Sequence, residues 1–217
     1  MKRKALSVKR KSNPELSSSA THHASRITPV YYPVLLNLKG KKVIVVGGGK
    51  VAERKALPLL KSGAKVTVIS PECTERLKKE NLRGNIQYVP RRYKKGDLKN
   101  AFLVIAATDS NETNRKISED APYLVNIVDM PLLCNFIVPS VVRRGPLTIA
   151  VSTSGISPSL ARTIRKELEG LYGREFEKHL NHIKKMRVKA LSGIKNNKER
   201  IKFLRGLSLN AWKKLRS

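Results

Sequence analysis

Acidic residues are scarce in this chain beside basic ones. Its 217 residues hold 16 aspartates and glutamates against 45 lysines and arginines, a formal net charge of +29. A protein charged in this way binds polyanions, with strong salt dependence. Aromatics are also scarce, at 5% with a single tryptophan, so the interleaved stacking platform of a single-strand nucleic-acid binder is missing. The only cysteines, Cys73 and Cys134, stand far apart. That excludes a disulfide scaffold and points to a reducing compartment, the cytoplasm. No apolar run approaches the ~20 residues of a membrane span. The basic N-terminus lacks an apolar centre, so no secretory signal is expected there. Neither His-Glu-x-x-His nor Cys-x-x-Cys occurs, so no metal cage is legible. His22-His23 reads as part of a solvated tail, and His179 and His182 as surface histidines.

The positive charge is spread along the chain. Residues 1–28 carry 7 basic residues against 1 acidic, residues 29–160 carry 21 against 10, and residues 161–217 carry 17 against 5. Nucleic acid, a polycarboxylate small molecule and a compositional bias of the source organism all remain open as explanations. Residues 1–28 are polar and basic without periodicity, and read as a disordered arm.

What is present is an α/β pattern. Lys42-Val43-Ile44-Val45-Val46 runs straight into Gly47-Gly48-Gly49-Lys50-Val51-Ala52. Read as G-x-G-x-x-A between a strand and a helix, this fits a dinucleotide-binding turn. Gly47 allows the tight turn, Gly49 lets a pyrophosphate approach the backbone, and Ala52 keeps the helix close to the sheet. The free amides at the helix start receive the phosphate charge. Strands are expected at Val43–Val46, Val66–Ile69, Ile86–Val89, Leu103–Ala107 and Leu124–Val128. Helices are expected at Val51–Lys61, Thr74–Asn81 and Asn111–Ala121. Pro58 predicts a kink or an early end to the first of these. This alternation predicts a doubly wound parallel sheet, with its ligand crevice at the carboxyl ends of the strands.

The pattern changes after Asp129. Phe136–Val142 and Leu147–Ser152 read as paired strands about a turn at Arg143-Arg144-Gly145-Pro146. Ser157-Pro158 then starts a helix, serine at N-cap and proline at N1. That helix presents Leu160, Ile164, Leu168 and Leu171 on one face. Beyond Gly173 the chain reads helical and basic to its end, with Phe176, Leu180, Ile183, Met186 and Leu191 as a looser stripe. The expected division is a basic arm over 1–28, a nucleotide-binding domain over 29–130, a strand-rich region over 131–160 and a helical region over 161–217.

At the strand ends stand Gly47–Gly49, then Ser70-Pro71-Glu72, then Thr108-Asp109, then Asp129. The end of the second strand, where a carboxylate commonly holds the ribose, is Ser70, with Glu72 two residues on. No arginine stands there to receive a 2′-phosphate, so NAD is expected rather than NADP. Asp109 reads as the cap of the next helix. Asp129 ends an apolar strand where the pattern breaks and has no capping duty, which makes it a candidate general acid/base.

These motifs together resemble a known family. Tyr32-Pro33-Val34, Val45–Lys55, Ala106-Ala107-Thr108-Asp109, Asn126-Ile127-Val128-Asp129, Phe136–Ser140 and Gly155–Ala161 are similar, in this order, to the sirohaem synthase module: precorrin-2 dehydrogenases, some of which are also sirohydrochlorin ferrochelatases. The resemblance covers about residues 31–205. It implies a Rossmann-type fold with a small dimerisation region of swapped strands and a helical C-terminal segment, assembled as a homodimer. It also implies NAD-dependent oxidation of precorrin-2 to sirohydrochlorin, with ferrous iron as a second substrate where chelation occurs. The polycarboxylate substrate then gives the spread charge a purpose. Asp129 matches the family's strand-end aspartate, and Lys50, Val51, Pro71 and Glu72 fall where the family contacts NAD. Thr153 falls where some members line the tetrapyrrole site with serine. Arg143, Arg144 and the Ser157 helix start are the candidates for holding the substrate, and Thr108 joins Asp129 beside the nicotinamide. The alternative is a basic Rossmann protein that binds nucleic acid or senses NAD without catalysis.

Overall fold

The computed structural model describes residues 30–216, with the side chains of 208 and 210–216 left aside. The basic arm and His22-His23 lie outside the described residues. Five strands form one parallel sheet: β1 (Lys42–Val46), β2 (Lys65–Ile69), β3 (Ile86–Val89), β4 (Leu103–Ala106) and β5 (Leu124–Ile127), in the order β3-β2-β1-β4-β5. Helices α1 (Lys50–Lys61), α2 (Glu75–Leu82) and α3 (Asn111–Asp120) supply three of the crossovers. Side chains alternate across a strand, and here both sides are apolar. Val43, Val45, Val66, Val68, Leu103 and Ile105 pack with Ala52 and Ala56 of α1 and Leu77 of α2. Ile44, Val46, Ile69, Val104, Ala106 and Ile127 pack with Leu98 and with Ile117 of α3. Burial on both faces is why these strands read as unbroken β-branched runs rather than alternating ones.

Several local expectations are corrected. Pro58 does not end α1, which continues to Lys61 and closes with Ser62 and Gly63 bonding back to the last turn. Only a short stretch of helix follows the proline, and its missing N–H removes a single bond. Ser110, not Asp109, caps α3 by accepting from the Thr113 amide at 3.2 Å. The strand expected from Phe136 starts later, as β6 (Ser140–Arg144). Asn135 instead ties the chain to the edge of β5: its Oδ1 accepts from the Val125 amide and its Nδ2 donates to the Tyr123 carbonyl. Asn126, on β5, donates to the Phe136 carbonyl at 3.0 Å. The turn to β7 (Leu147–Val151) is only Gly145-Pro146, because Arg143 and Arg144 already pair with Thr148 and Leu147.

The β6–β7 hairpin packs on α4 (Pro158–Leu171). The expected helical tail is two helices, α5 (Glu175–Gly193) and α6 (Asn197–Arg216), packed on each other. Asn196 interrupts them and restarts the helix, its Oδ1 accepting from the Lys198 and Glu199 amides. This is the local side-chain bonding by which asparagine competes with a continuous helix. No helix among the described residues is long and apolar enough to cross a membrane.

Candidate active site

A cleft of about 910 Å³ opens at the carboxyl ends of β1, β2 and β4, near the upper end of the range for small-molecule and cofactor sites. Its floor is the glycine turn. Gly47 has φ +113°, a conformation that L side chains rarely adopt, and a Cβ there would lie 2.2 Å from the Ala107 carbonyl oxygen. A Cβ on Gly48 would lie 1.9 Å from the Glu72 carbonyl oxygen and 2.9 Å from Cys73. Gly49 faces open space. The first two glycines thus let three chain segments meet, and the third leaves the cleft clear. No side chain caps the start of α1, so the amides of Lys50 and Val51 are presented to an anion. The turn fits a dinucleotide pyrophosphate.

The side walls are braced from below. The Thr74 amide donates to the Gly48 carbonyl at 3.0 Å, and the Tyr88 hydroxyl donates to the Pro71 carbonyl at 3.0 Å. Ser70, Pro71 and Glu72 line one wall, and Thr108 and Asp109 the other. The Thr108 hydroxyl is already committed: it donates to Asn114 Oδ1 at 2.8 Å, while Asn114 Nδ2 donates to the Thr108 carbonyl at 3.1 Å. Asn114 is buried on α3, so Thr108 shapes the wall through a satisfied polar pair. Gly47, Gly48, Gly49, Lys50, Val51, Ser70, Pro71, Glu72 and Thr108 all border this one cleft. Arg92 and Tyr93, which follow β3, border it too. The signal for them is the strand order, which sets β3 beside β2 and is not written in the local sequence.

Asp129 stands apart from this cleft, at the carboxyl end of β5 and one strand beyond β4. It is exposed and has φ +60°. Aspartate tolerates this left-handed geometry better than most residues, but the surroundings still have to hold it. A sulfur does so. Cys134 Sγ accepts from the Ile127 amide at 3.1 Å and lies 3.3 Å from the Ile127 carbonyl and 3.4 Å from the Met130 carbonyl, bracketing Asp129. Burial raises the Cys134 thiol above its ordinary range, partly offset by the Ile127 amide and by Lys55. Lys55, on α1, reaches the same corner. Burial and then Arg54 lower its ammonium from the usual lysine range, with Cys134 and Asp129 pulling the other way.

The residues expected to hold the substrate divide. The Arg144 guanidinium donates to the Tyr172 carbonyl at 2.8 Å and to the Glu169 carbonyl at 3.1 Å. It caps the end of α4 and is not free for a carboxylate. Arg143 is exposed on β6. Thr153 accepts from the Ser157 amide at 3.0 Å, and Ser157 caps the Leu160 amide at 3.3 Å. Ser154 and Gly155 between them both have positive φ. This turn delivers the chain into α4 and lies outside the cleft lining. Among the described residues no group of three or more His, Cys, Asp or Glu side chains gathers as a metal site.

Comparison with known proteins agrees with this geometry. The family model described as "Putative NAD(P)-binding" matches residues 34–140, and that described as "Sirohaem biosynthesis protein central" matches residues 144–171. The chain resembles the precorrin-2 dehydrogenase and sirohaem synthase family. It is 46% identical over 149 residues to the sirohaem synthase of Methylobacillus flagellatus, covering 65% of this chain and 32% of that protein. It is 44% identical over 151 residues to that of Thioalkalivibrio sulfidiphilus, covering 66% and 31%. The chain therefore spans about a third of the length of these relatives. Among solved structures it is similar to SirC, a precorrin-2 dehydrogenase, with a TM-score of 0.74 and 27% identity over 82% of this chain and 89% of that one. The Rossmann-type fold is shared with that structure, and the dinucleotide-binding domain with the family model over residues 34–140.

Proposed function

We propose that this protein oxidises precorrin-2 to sirohydrochlorin with NAD as the hydride acceptor. The observation that carries the reading is the placement of Asp129, an exposed carboxylate at the end of β5 beside the strand that walls the glycine-floored cleft. When bound, the dinucleotide supplies the two-electron acceptor. The chain's own part is to bind, orient and move a proton. The amides of Lys50 and Val51 hold the pyrophosphate, and Glu72 reaches the ribose hydroxyls of NAD. Arg143 and the surrounding positive charge hold the substrate's carboxylates. As hydride leaves a ring carbon of the substrate, Asp129 takes the accompanying proton. The same carboxylate is placed to accept the pyrrole protons when ferrous iron enters as a substrate.

The two well-separated free cysteines suit a reducing cytoplasm. A homodimer is supported by the apolar side chains left uncovered around α4. Ile156 is 76% exposed, Leu160 51% and Leu171 71%, more than a single copy of an amphipathic helix leaves bare. Light scattering on the eluting protein is expected to give twice the chain mass.

The test of the activity is to supply enzymatically made precorrin-2 and NAD without metal, and to follow sirohydrochlorin and NADH absorbance together. Equimolar appearance of both supports the proposal. Absence of both, with dinucleotide binding demonstrated, overturns it. Addition of ferrous iron to the same mixture then reads out chelation. Cys134→Ala, which removes the sulfur that brackets Asp129, is expected to lower kcat about tenfold. Dinucleotide affinity should stay within twofold, and Cys134→Ser should recover part of the rate. A fall in dinucleotide affinity parallel to the fall in rate would instead mean a general loosening of the sheet.

A further inference from the structure

One unspent guanidinium stands in the wall of the dinucleotide cleft. The loop after β3 is pinned on both sides of Arg92. Arg91 pairs in bidentate fashion with Asp97, NH1 to Oδ2 at 2.8 Å and NH2 to Oδ1 at 2.7 Å, and the Lys94 amide donates to the same Oδ2 at 2.8 Å. Tyr93 donates its hydroxyl to Asp120 Oδ2 on α3 at 2.6 Å. Burial first, and then this bond, raise the phenol above its ordinary range. Arg92 itself, exposed between the two, engages only its backbone carbonyl, which accepts from Arg91. Its guanidinium has no hydrogen bond or ion pair with the described residues and lines the cleft.

Arg92 shares that wall with the end of β2. Ile69 pairs with Val89 in parallel register, and the Ser70 amide donates to the Val89 carbonyl at 3.2 Å. The residue at the end of the second strand of such a fold faces the adenosine ribose. A carboxylate there accepts the two ribose hydroxyls, whereas a nearby arginine accommodates a 2′-phosphate. Here the strand-end residue is Ser70, which brings no negative charge. Glu72 and Asp109 are the acids along the cleft, and Lys50 and Arg92 the bases. The guanidinium fork matches phosphate oxygens in charge and in shape. We infer that the cleft admits a 2′-phosphorylated dinucleotide as well as NAD, with Arg92 receiving the 2′-phosphate. The inference rests on the dinucleotide reading of the cleft and concerns its adenosine end alone.

The experiment is a calorimetric titration of the full chain with NAD and with NADP at physiological salt, which needs no tetrapyrrole and no turnover. Wild type is expected to bind NADP within tenfold of NAD. Arg92→Ala is expected to weaken NADP by about 10- to 100-fold, the range for a lost charge-assisted bond, while NAD stays within twofold. Arg92→Lys should restore part of the loss. Lys189→Ala, an exposed change on α5, controls for the overall positive charge and should leave the NADP to NAD ratio unaltered. NADP more than tenfold weaker than NAD in wild type overturns the inference. So does a ratio that Arg92→Ala shifts by less than tenfold, or that Lys189→Ala shifts as much. If wild type binds neither dinucleotide, the cofactor reading of the cleft falls, and this inference falls with it.

Discussion

Asp129→Asn should abolish sirohydrochlorin formation while leaving dinucleotide binding unchanged. The substitution is isosteric. It keeps a residue type that tolerates the φ of +60° at this position, so the Cys134-bracketed turn has no reason to move. Only the capacity to take a proton is lost. General acid/base groups contribute about 10²–10⁴-fold, and kcat is expected to fall within that range. Titration of the variant with NAD should match wild type, because Asp129 does not border the glycine-floored cleft. Single-turnover absorbance with excess enzyme measures the rate, and calorimetry measures the binding. A variant that retained full activity would remove Asp129 from the mechanism and leave the fold untouched.

Gly48→Ala is the opposite kind of change, one that should fail through sterics. The new methyl would meet the Glu72 carbonyl oxygen at 1.9 Å and the Cys73 backbone at 2.9 Å, and neither can be relieved by a side-chain rotation. Either the turn or the segment after β2 has to shift, and the Thr74–Gly48 bond that joins them at 3.0 Å shifts with it. Overpacking of this kind costs about 1–3 kcal/mol. For a chain of this length that corresponds to a fall in Tm of roughly 2–12 °C. Because the displaced segments are the floor and one wall of the cleft, dinucleotide affinity should drop by at least tenfold, read by the same titration. Gly49→Ala, which meets nothing within 4 Å, is the contrasting variant. It should fold as wild type, and any loss of dinucleotide affinity it shows reports the methyl's approach to the pyrophosphate. Wild-type melting of Gly48→Ala would mean that the contact between the glycine turn and Glu72 is not tight in solution.

The α/β alternation and the glycine turn could be read from local sequence because each rests on residues a few positions apart. A strand buried on both faces needs a continuous apolar run, and Val43–Val46 and Leu103–Ala106 provide one. The turn out of β1 needs residues without a Cβ, so glycines stand there. The start of α4 was equally local, with Ser157 as cap and Pro158 after it. The misplaced details were those in which a distant segment competes with the local pattern. Phe136 and its neighbours carry strand-forming residues, yet Asn126 and Asn135 bind them to the edge of β5. Arg144 reads as a free charge, yet the carbonyls of α4 take its donors.

Sequence alone determined the class of this protein, its dinucleotide turn and the strand-end aspartate, since elementary backbone rules link those residue types to those shapes. Tertiary structure decided which side chains remain available for a ligand. Availability depends on what each donor and acceptor meets across the fold: Thr108 is committed to Asn114, Arg91 to Asp97 and Tyr93 to Asp120. Among the described residues Arg92 is left without a partner, beside Ser70, a neighbour 22 positions earlier in the chain. Only the pairing of β2 with β3 brings the two to one wall.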